Sequence, residues 1–410
     1  MRLSLARKPS DVKTPAPVSR RRLLQASLGS SVLAACMAPS SPAPDLSPIR
    51  ARTDRIFDIA ACTRPFRAAG PRLDTERLGD TLVVHNYGHG GSGWSLSWGS
   101  SAIAVAKAMQ ASPQEIAVIG CGALGLTSAV LAQRAGARVT IHAAELLPQS
   151  RSARASGAWT PDSRIALASA AGPDFAALWE QMARTAYKTH RDYLGLPGAP
   201  VEWADFYSVA VDEPPPPRPS ASPPSTPPPE SLDFASYGRR IADLVPRGVR
   251  LAPDVAPFRA ASVHHNEFMI FNIADYGHTL LNDFFVAGGQ YRRIAFHHPS
   301  QIAALGKKAV IDCTGYGARA LWRDDSVTPV RGQIARLIPQ ADVHYGVYYK
   351  HVYVVPRRDG IVVQAVEGGD MKGYGDASET VDRAESDRAV TTLAELFSRA
   401  RWRGLPVTSS

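Results

Sequence analysis

The feature that most constrains the fold is a glycine cluster at residues 120–125, G-C-G-A-L-G, which has the spacing G-x-G-x-x-G. An apolar segment at 114–119 predicts a strand before it, and 124–134 predicts a helix after it. In this setting the glycines allow a tight turn, a close approach to a pyrophosphate and close helix–strand packing. The motif predicts a dinucleotide site at the helix N-terminus, without deciding between NAD and FAD. The expected contacts are Gly120, Gly122, Ala123, Leu124 and Gly125.

A second strand, predicted at 138–142, extends the same unit. An acid beyond such a strand binds the ribose hydroxyls in many dinucleotide sites, and Glu145, twenty residues after Gly125, is the candidate. Further strands are predicted at 309–312, 347–355 and 360–365, and further helices at 276–287 and 383–400. Strands and helices in this order favour an α/β fold.

The first 36 residues predict an export signal. The sequence S-R-R-R-L-L-Q at 19–25 is typical of a twin-arginine signal, and the apolar stretch 23–35 is too short to span a bilayer. The sequence L-A-A-C at 33–36 resembles a lipobox, in which Cys36 is lipidated. We therefore expect a periplasmic protein with a membrane tether through Cys36. The alternative is a basic leader with a chance cysteine.

Charge and cysteine content argue against other classes of protein. The chain has a formal net charge of +9, of which residues 1–35 carry +6, which leaves +3 for the remainder. So small a surplus gives no reason to expect nucleic-acid binding. The other cysteines, Cys62, Cys121 and Cys313, form no CxxC motif or Cys/His cluster, so neither a disulfide framework nor a metal site is predicted.

Two low-complexity runs interrupt the chain. Residues 37–55 contain a run rich in Pro, Ser and Ala and predict a flexible tether. Residues 213–230 contain ten prolines and predict a surface insert, because proline lacks the backbone donor that helices and central strands need. The alternative for the insert is a recognition segment in polyproline II form.

The segment 82–99, L-V-V-H-N-Y-G-H-G-G-S-G-W-S-L-S-W-G, is the most specific in the chain. It predicts a strand that enters a glycine cluster, with a helix that begins near Trp94. Such an element presents bare backbone and a helix N-terminus to a ligand. The positive end of a helix suits the N1–C2=O edge of a flavin, where reduction places negative charge. The alternative is a turn required for folding alone.

This segment closely resembles the signature of the D-amino acid oxidase family, FAD enzymes of the glutathione-reductase-like superfamily. Other segments resemble the family's motifs: R-P-F-R at 64–67, S-G-A-W at 156–159, D-C-T-G at 312–315, V-R-G-Q at 330–333, and Tyr349 and Tyr353 followed by V-V-P. The resemblance implies a Rossmann-like FAD-binding domain of the glutathione-reductase type, with an interwoven antiparallel-sheet substrate domain.

The order of the motifs departs from the family. There the glycine fingerprint opens the chain and the 82–99 signature closes it, whereas here the signature comes first, so that residues 56–109 look circularly permuted. The family's ribose acid aligns with Ala144 rather than Glu145, and Ser95 replaces a flavin-contacting threonine. The implied segments are an export signal at 1–36, a tether at 37–55, FAD-binding segments at 56–200 and 301–335, and substrate-domain segments at 201–300 and 336–403.

The resemblance also assigns the site. Arg64 would hold the substrate carboxylate, for which a bidentate guanidinium is suited, and the Gly91 carbonyl would accept from the amine. Tyr353 would add a hydroxyl and Tyr349 would line or cover the pocket, although packing alone is the alternative for Tyr349. Strand alternation over 349–353 puts both tyrosines and His351 on one face. Further cofactor contacts are expected at Gly90, Gly91, Gly93, Trp94, Ser95, Ser152, Gly157, Ala158, Trp159, Thr314 and Gly315.

Three histidines remain beside these assignments. His351 either contacts a polar or acidic substrate side chain or has a structural role, which is the commoner role for a strand histidine. His85 and His89 lie within the 82–99 signature with no base partner visible in the sequence, and they are interpreted as structural donors near the flavin.

The expected activity is FAD-dependent oxidation of a D-amino acid by hydride transfer, which gives an imino acid and then a keto acid and ammonia. Three alternatives stay open. One is a related amine or imino-acid oxidase or dehydrogenase, and another is an inactive exported binding protein that keeps the flavin fold, since fold alone does not establish activity. The third is an NAD-dependent dehydrogenase.

Overall fold

The glycine cluster lies in the strand–turn–helix setting that the sequence predicts. The computed structural model describes residues 46–211, 232–398 and 401–403. Within it, β4 (Glu115–Ile119) leads through the glycine turn into α2 (Ala123–Arg134), and β5 (Arg138–Ala143) follows parallel to β4. The last four residues of β4 are buried, which explains why all four are apolar.

A six-stranded sheet is built around β4. Its other strands are β2 (Thr75–Leu78), β3 (Thr81–His85), β9 (Gln290–Arg293) and β10 (Ala309–Asp312). The spatial order is β2-β3-β10-β4-β5-β9, in which five strands run parallel and β2 runs antiparallel at the edge. In a parallel sheet of this kind, ligands bind beyond the carboxyl ends of the strands.

An eight-stranded sheet forms the second part of the fold. Its strands are β1 (Ile56–Arg67), β6 (Val201–Ala210), β7 (Val249–Arg250), β8 (Ser262–Phe271), β11 (Val327–Leu337), β12 (Tyr345–Tyr349), β13 (Val352–Arg357) and β14 (Gly360–Ala365). They lie in the order β1-β11-β14-β13-β12-β6-β8-β7, and every neighbouring pair is antiparallel except β12 and β6.

Helices cover both sheets. The remaining helices are α1 (Gly93–Met109), α3 (Phe175–Arg191), α4 (Ile273–Val286), α5 (Pro299–Ala303), α6 (Ala318–Leu321) and α7 (Arg383–Leu396). Helices α1 to α4 share one apolar core with the six-stranded sheet, whereas α7 packs its buried side chains on one face of the eight-stranded sheet. The α/β fold expected from the sequence is thus confirmed. Among the helices in the described part of the chain, none is long and apolar enough to cross a membrane.

The segment 347–355, expected as one strand, is a hairpin. Strands β12 and β13 are joined by Lys350 and His351, whose φ angles are +44° and +60°. The turn reverses the chain, so that Tyr348 lies opposite Tyr353 and Tyr349 lies opposite Val352. The expectation of continuous alternation from 349 to 353 is therefore wrong.

The segment boundaries expected from the sequence differ from the distribution of elements. Strand β1, within 56–200, and most of β11, within 301–335, belong to the eight-stranded sheet, whereas β9 and α4, within 201–300, belong with the six-stranded sheet. Long-range strand pairing decides sheet membership, and local sequence does not encode it.

The second half of the expected tether packs on the protein. Ile49 is only 2% exposed, the Ser47 carbonyl accepts a hydrogen bond from the Tyr345 hydroxyl at 2.7 Å, and the Arg50 N–H donates to Gln340. The prediction of a tether rested on the proline and serine content of 37–55, which gives no sign that Ile49 is buried. The export signal, residues 37–45 and the proline insert lie outside the described residues, as do residues 399 and 400 of the helix expected at 383–400.

Candidate active site

A cavity of about 650 Å³ lies where the carboxyl ends of β4, β5 and β10 meet the eight-stranded sheet. The parallel strands contribute the glycine turn at 120–124 and residues 142–145, and the second sheet contributes β1, β12, β13 and β14. This is the crevice in which open α/β sheets bind their ligands. Glu145 lies on its wall beside Ala144, and both residues are exposed there.

The glycine turn is tight enough to exclude side chains. Gly120 has φ +101°, and a Cβ at this position would lie 2.5 Å from the Cys313 carbonyl oxygen. A Cβ on Gly122 would lie 2.6 Å from Ser152 Oγ, which accepts the Ala123 N–H at 3.0 Å. The turn therefore brings bare backbone and the positive end of α2 to the cavity wall, as a pyrophosphate requires.

The end of β3 is held by a buried polar network. Asp312, fully buried at the end of β10, accepts from His85 Nδ1 at 2.9 Å and from the Thr314 hydroxyl at 2.7 Å. Asn86 donates to Ser101 and Ser128 and accepts from Ser100. The base partner of His85 that the sequence did not reveal is thus Asp312, and the histidine fixes the signature loop to the sheet.

His89 occupies the same network as a neutral ring. Ser100 donates its one hydroxyl hydrogen to Asn86, so that His89 Nε2 donates to Ser100 Oγ at 2.7 Å. Burial lowers the pKa of His89 to about 3. The ring is therefore uncharged at neutral pH and supports the loop as a hydrogen-bond donor.

The two glycines after His89 rest on the loop at 163–164. A Cβ on Gly90, where φ is +54°, would lie 1.9 Å from the Arg164 carbonyl oxygen. The Gly91 N–H donates to the Ser163 carbonyl at 3.0 Å, and a Cβ on Gly91 would lie 2.5 Å from Ser163 Oγ. Both glycines line the cavity, as does Gly93 at the first turn of α1.

The start of α1 forms one wall of the cavity. Trp94 donates its indole N–H to the Ser152 carbonyl at 2.9 Å, and Ser95 Oγ accepts the Thr160 N–H at 2.8 Å. Ser150, also on the wall, has a buried hydroxyl with no hydrogen-bond partner among the described residues. Expected cofactor residues that line the cavity with these are Ser152, Gly157, Ala158, Thr314 and Gly315.

Arg64 lies on the cavity wall with its charge largely unpaired. Its one recorded hydrogen bond is a long one, 3.4 Å to the Arg331 carbonyl, and no carboxylate of the described residues lies within 4.0 Å. The guanidinium lies across Gly332 on β11, where a Cβ would come within 2.2 Å of Arg64 Nη2. A permanently charged planar donor without a protein partner is suited to bind a carboxylate ligand.

Of the two expected tyrosines, only Tyr353 lines the cavity. Tyr349 is fully buried on the opposite face of the sheet among residues that pack against α7, and its hydroxyl lies 3.4 Å from Glu395. The assignment of Tyr349 to the pocket is wrong because the hairpin turn replaces it with Tyr348. His351 is exposed in the turn, where its Nδ1 lies 3.2 Å from the Tyr348 hydroxyl, and it does not line the cavity.

Two expected cofactor residues, Gly125 and Trp159, do not line the cavity either. A Cβ on Gly125 would lie 2.1 Å from the Gly120 carbonyl oxygen, so this glycine serves the close packing of α2 on the turn. The Trp159 ring packs against Tyr187, with 5.3 Å between the ring centroids. The Trp159 backbone N–H donates to the Met269 carbonyl at 2.9 Å. The adjacent Ala158 lines the wall instead.

Sequence reasoning missed Arg164, Tyr348 and Gln364, all on the cavity wall. Arg164 lies in a loop with no recognisable motif. The sequence did not predict that Tyr348 lines the cavity, because this depends on the turn at Lys350 and His351. Neither is a residue typical of a turn with positive φ. Gln364 lies on β14 and belongs to no motif that would indicate a role in binding.

The cavity's donor set fits FAD. A glycine turn with a helix N-terminus suits the pyrophosphate, and Glu145 lies on the same wall, beyond the end of β5, with a carboxylate that could accept from ribose hydroxyls. Gly90, Gly91 and the start of α1 offer bare backbone at the far end, and the buried Ser150 hydroxyl needs a partner. No group of three or more His, Cys, Asp or Glu side chains suited to a metal occurs in the ranges that the structure describes.

Short segments of the chain resemble curated oxidases. One segment of 60 residues is 50% identical to D-amino-acid oxidase of Rubrobacter xylanophilus and covers 14% of this chain and 18% of that protein. Another of 53 residues is 43% identical to D-aspartate oxidase of Cryptococcus neoformans var. grubii and covers 12% and 14%. The chain thus spans less than a fifth of the length of these relatives.

Solved structures resemble the fold at low identity. Iminodiacetate oxidase from Chelativorans sp. BNC1 gives a TM-score of 0.43 at 16% identity, over 69% of this chain and 78% of that chain. Glycine oxidase from Geobacillus kaustophilus gives 0.42 at 14% identity, over 68% and 76%.

A family profile matches most of the chain. The profile of the DAO family, described as FAD dependent oxidoreductase, matches residues 115–408, more than two-thirds of the chain. The expected fold class, a Rossmann-like FAD-binding domain with an antiparallel-sheet substrate domain, is therefore confirmed, and the cofactor is FAD. By fold, by the cavity's donor set and by the extent of this match, the chain belongs to the DAO family of FAD dependent oxidoreductases.

Proposed function

We propose that the protein oxidises the C–N bond of a D-amino acid with FAD. The observation that carries the proposal is Arg64, a guanidinium without a carboxylate partner among the described residues, on the wall of the same cavity as the glycine turn. Binding an amino acid would pair this charge with the α-carboxylate. A carboxylate held by a bidentate guanidinium has a fixed orientation, so the rest of the substrate is directed along the cavity.

The neighbouring residues fit the same substrate. Tyr353 lines the cavity, and its hydroxyl would donate to the carboxylate that Arg64 holds. Burial raises the pKa of Tyr353, so that it stays protonated and remains a donor. The Gly91 carbonyl would accept from the substrate amine. The chemistry that FAD supplies when bound is acceptance of a hydride. Loss of a hydride from the α-carbon and of a proton from the amine would leave an imino acid, which would then hydrolyse to a keto acid and ammonia.

Two lines of support favour D-amino acids over other amines. The short segments that match a D-amino-acid oxidase and a D-aspartate oxidase are 50% and 43% identical. A simple amine has no carboxylate, so an amine substrate would leave the half-buried Arg64 at the cavity wall without a charged partner.

The test is an anaerobic titration of the purified protein with bound FAD, followed by visible absorbance. We expect D-amino acids to bleach the flavin and their L-enantiomers not to. Bleaching by amines or imino acids alone would contradict the proposal in favour of a related oxidase. A protein that holds FAD and is bleached by none of these would be a binding protein.

We also propose that the chain is circularly permuted relative to its family. Support comes from the order of elements: β3 and α1 precede β4, and only five residues separate the end of α1 from β4. The family profile begins at residue 115, where β4 starts. A variant that moves residues 56–109 behind residue 403 through a flexible linker should bind FAD with the parent's stoichiometry. Failure of the relinked protein to bind FAD would count against the proposal.

We further propose that the protein is exported by the twin-arginine route to the periplasm and held at the membrane through Cys36. The support is the sequence at 19–36 alone. Export should stop when Arg20, Arg21 and Arg22 are replaced by Lys, and Cys36→Ser should release the protein from the membrane fraction. Unchanged fractionation of both variants would refute the proposal.

A further inference from the structure

A second cavity of about 130 Å³ adjoins the first. The two share Arg64, Arg164, Gln364 and Val366 as lining residues, so the smaller cavity is a side chamber of the larger. We call it the side pocket. Its other lining residues are Arg331, Gly332, Gln333, Ala365, Lys372, Gly373 and Asp376.

The side pocket is strongly cationic. Four basic side chains line it against a single carboxylate, Asp376. Two of the four are neutralised by two carboxylates: Glu385, outside the lining, lies 2.7 Å from Lys372 and 3.7 Å from Arg331, and Asp376 lies 3.9 Å from Arg331. The charge that remains in the pocket belongs to Arg64 and Arg164.

Arg164 is compensated mainly by backbone. Its guanidinium donates to the carbonyls of Gly369 at 2.8 Å and Asp370 at 2.7 Å. The Asp370 carboxylate is 3.7 Å away and half exposed, so water weakens its attraction. Burial and the charge of Arg64 together lower the pKa of Arg164 to about 10. A bound anion would relieve this repulsion.

The backbone holds Arg164 in place. Its φ is +50°, in a region that residues with side chains rarely adopt, and its carbonyl packs against Gly90. A strained conformation persists only where the surrounding structure determines it, and such residues concentrate at functional sites. The guanidinium is thus presented to the side pocket by a fixed loop.

We propose that the side pocket binds a second carboxylate of the substrate, so that the preferred substrates are amino acids with an acidic side chain, such as D-aspartate and D-glutamate. This inference rests on the proposed function, in which Arg64 holds the α-carboxylate. Arg164 then faces the side-chain carboxylate, with the Gln364 amide as a further donor. The small volume limits the side chain to a short one.

The first test is binding without turnover. Calorimetry on the protein with bound FAD compares succinate with butyrate, which has the same carbon chain but one carboxylate. A charged hydrogen-bonded contact is expected to make succinate bind about 10- to 100-fold more tightly. Equal affinities would overturn the proposal without any variant.

Variants identify the residue. Arg164→Gln should bring the succinate-to-butyrate ratio close to one, and Arg164→Lys, which keeps the charge, should give an intermediate ratio. Arg138→Gln is the matched control, because Arg138 is a 70%-exposed arginine at the opposite end of β5. A ratio unchanged in Arg164→Gln would refute the role of Arg164.

Turnover separates this inference from the proposed function. The ratio of kcat/KM for D-aspartate over D-asparagine should exceed about 10 in the parent and fall toward one in Arg164→Gln. If D-alanine bleaches the flavin but succinate and butyrate bind equally, the side-pocket proposal fails alone. If succinate is preferred but no D-amino acid bleaches the flavin, the proposed function fails and the side pocket stands as a dicarboxylate site.

Discussion

Arg64 and Arg164 give the cavity its chemical character at the residue scale. The Arg64 guanidinium donates one long hydrogen bond to a backbone carbonyl, and the Arg164 guanidinium donates two. Arg64 has no carboxylate within 4.0 Å among the described residues. Both side chains are half-buried, and a cation that is partly removed from water without a charged partner is stabilised when an anion binds to it. The pair of guanidinium groups therefore suits the cavity to anionic ligands.

Removing Arg64 should abolish turnover. In Arg64→Ala, loss of a buried charge pair with the substrate is expected to lower kcat/KM about 100- to 1,000-fold, while FAD stays bound because the glycine turn is intact. Steady-state kinetics and the flavin-to-protein absorbance ratio measure the two effects. Near-normal kcat/KM in this variant would show that the carboxylate binds elsewhere.

Gly332 should matter for the position of Arg64. In Gly332→Ala, the new Cβ would lie 2.2 Å from Arg64 Nη2, and the end of this side chain can move. We expect kcat/KM to fall about tenfold, the loss of roughly one charged hydrogen bond, with little change in Tm. Gly172→Ala is the control, since a Cβ there meets nothing within 4 Å. Equal kinetics in the two variants would exclude this role of Gly332.

The sequence predicted the position of Arg64 but not that of Arg164. Arg64 lies in a motif of four residues that resembles a family element, so that its place on the cavity wall could be foreseen. Arg164 could not, because its contribution depends on a backbone φ of +50° and on the packing of its carbonyl against Gly90. Such contacts arise between segments far apart in the chain and leave no local pattern.

The hairpin of β12 and β13 decides the site at the element scale. A two-residue turn sends Tyr348 and Tyr353 to the cavity and Tyr349 to the face covered by α7. The strands themselves were predictable from apolar and aromatic residues, but the turn was not. One misplaced turn changes the face of every residue on one side of it.

Replacement of each of the three tyrosines by phenylalanine should change kcat/KM to a different extent. Tyr353→Phe should lower kcat/KM about tenfold through the loss of one hydrogen bond to a charged group, and Tyr348→Phe should have a smaller effect of the same sign. Tyr349→Phe should leave kinetics unchanged, because its hydroxyl contacts only Glu395, at 3.4 Å, among the described residues. A larger loss in Tyr349→Phe than in Tyr348→Phe would contradict the register of the hairpin.

At the scale of the whole molecule, the two sheets are joined by long-range pairing. Strand β1 pairs with β11 along almost its full length, although about 260 residues separate them. The dinucleotide unit around β4 was predictable because strand, turn and helix follow one another in sequence. The composition of the second sheet was not, because its strands come from three parts of the chain that are separated by strands of the six-stranded sheet.

Global stability should fall at acid pH. Burial lowers the pKa of both His89 and His190 to about 3, well below the ordinary value of 6.5. The unfolded chain therefore binds protons below pH 6.5 that the folded protein does not, and stability present above that pH is lost as pH falls toward 3. Each histidine contributes up to about 1.4 kcal/mol per pH unit. Thermal unfolding from pH 7 to 4 should show this slope, and His190→Gln should reduce it.

Deletion of residues 214–229 should leave the activity within about twofold of the parent. Among the described residues, none between 165 and 293 lines either cavity, and long surface loops affect stability weakly. Steady-state kinetics and Tm of the deletion variant measure this. A large rise in KM would instead connect the proline-rich segment with substrate entry.

The loop at 163–164 contacts both the glycine segment 90–91 and the side pocket. The Ser163 carbonyl accepts the N–H of Gly91, which lines the main cavity and is expected to contact FAD, and the Arg164 side chain lines the side pocket. Ligands that favour the same loop conformation are thermodynamically linked, and linkage is reciprocal. An acidic substrate should therefore strengthen the equilibrium binding of FAD by the same factor by which FAD strengthens the binding of that substrate. FAD would then dissociate chiefly when acidic substrate is scarce, so that the supply of substrate would govern how much of the protein carries its cofactor.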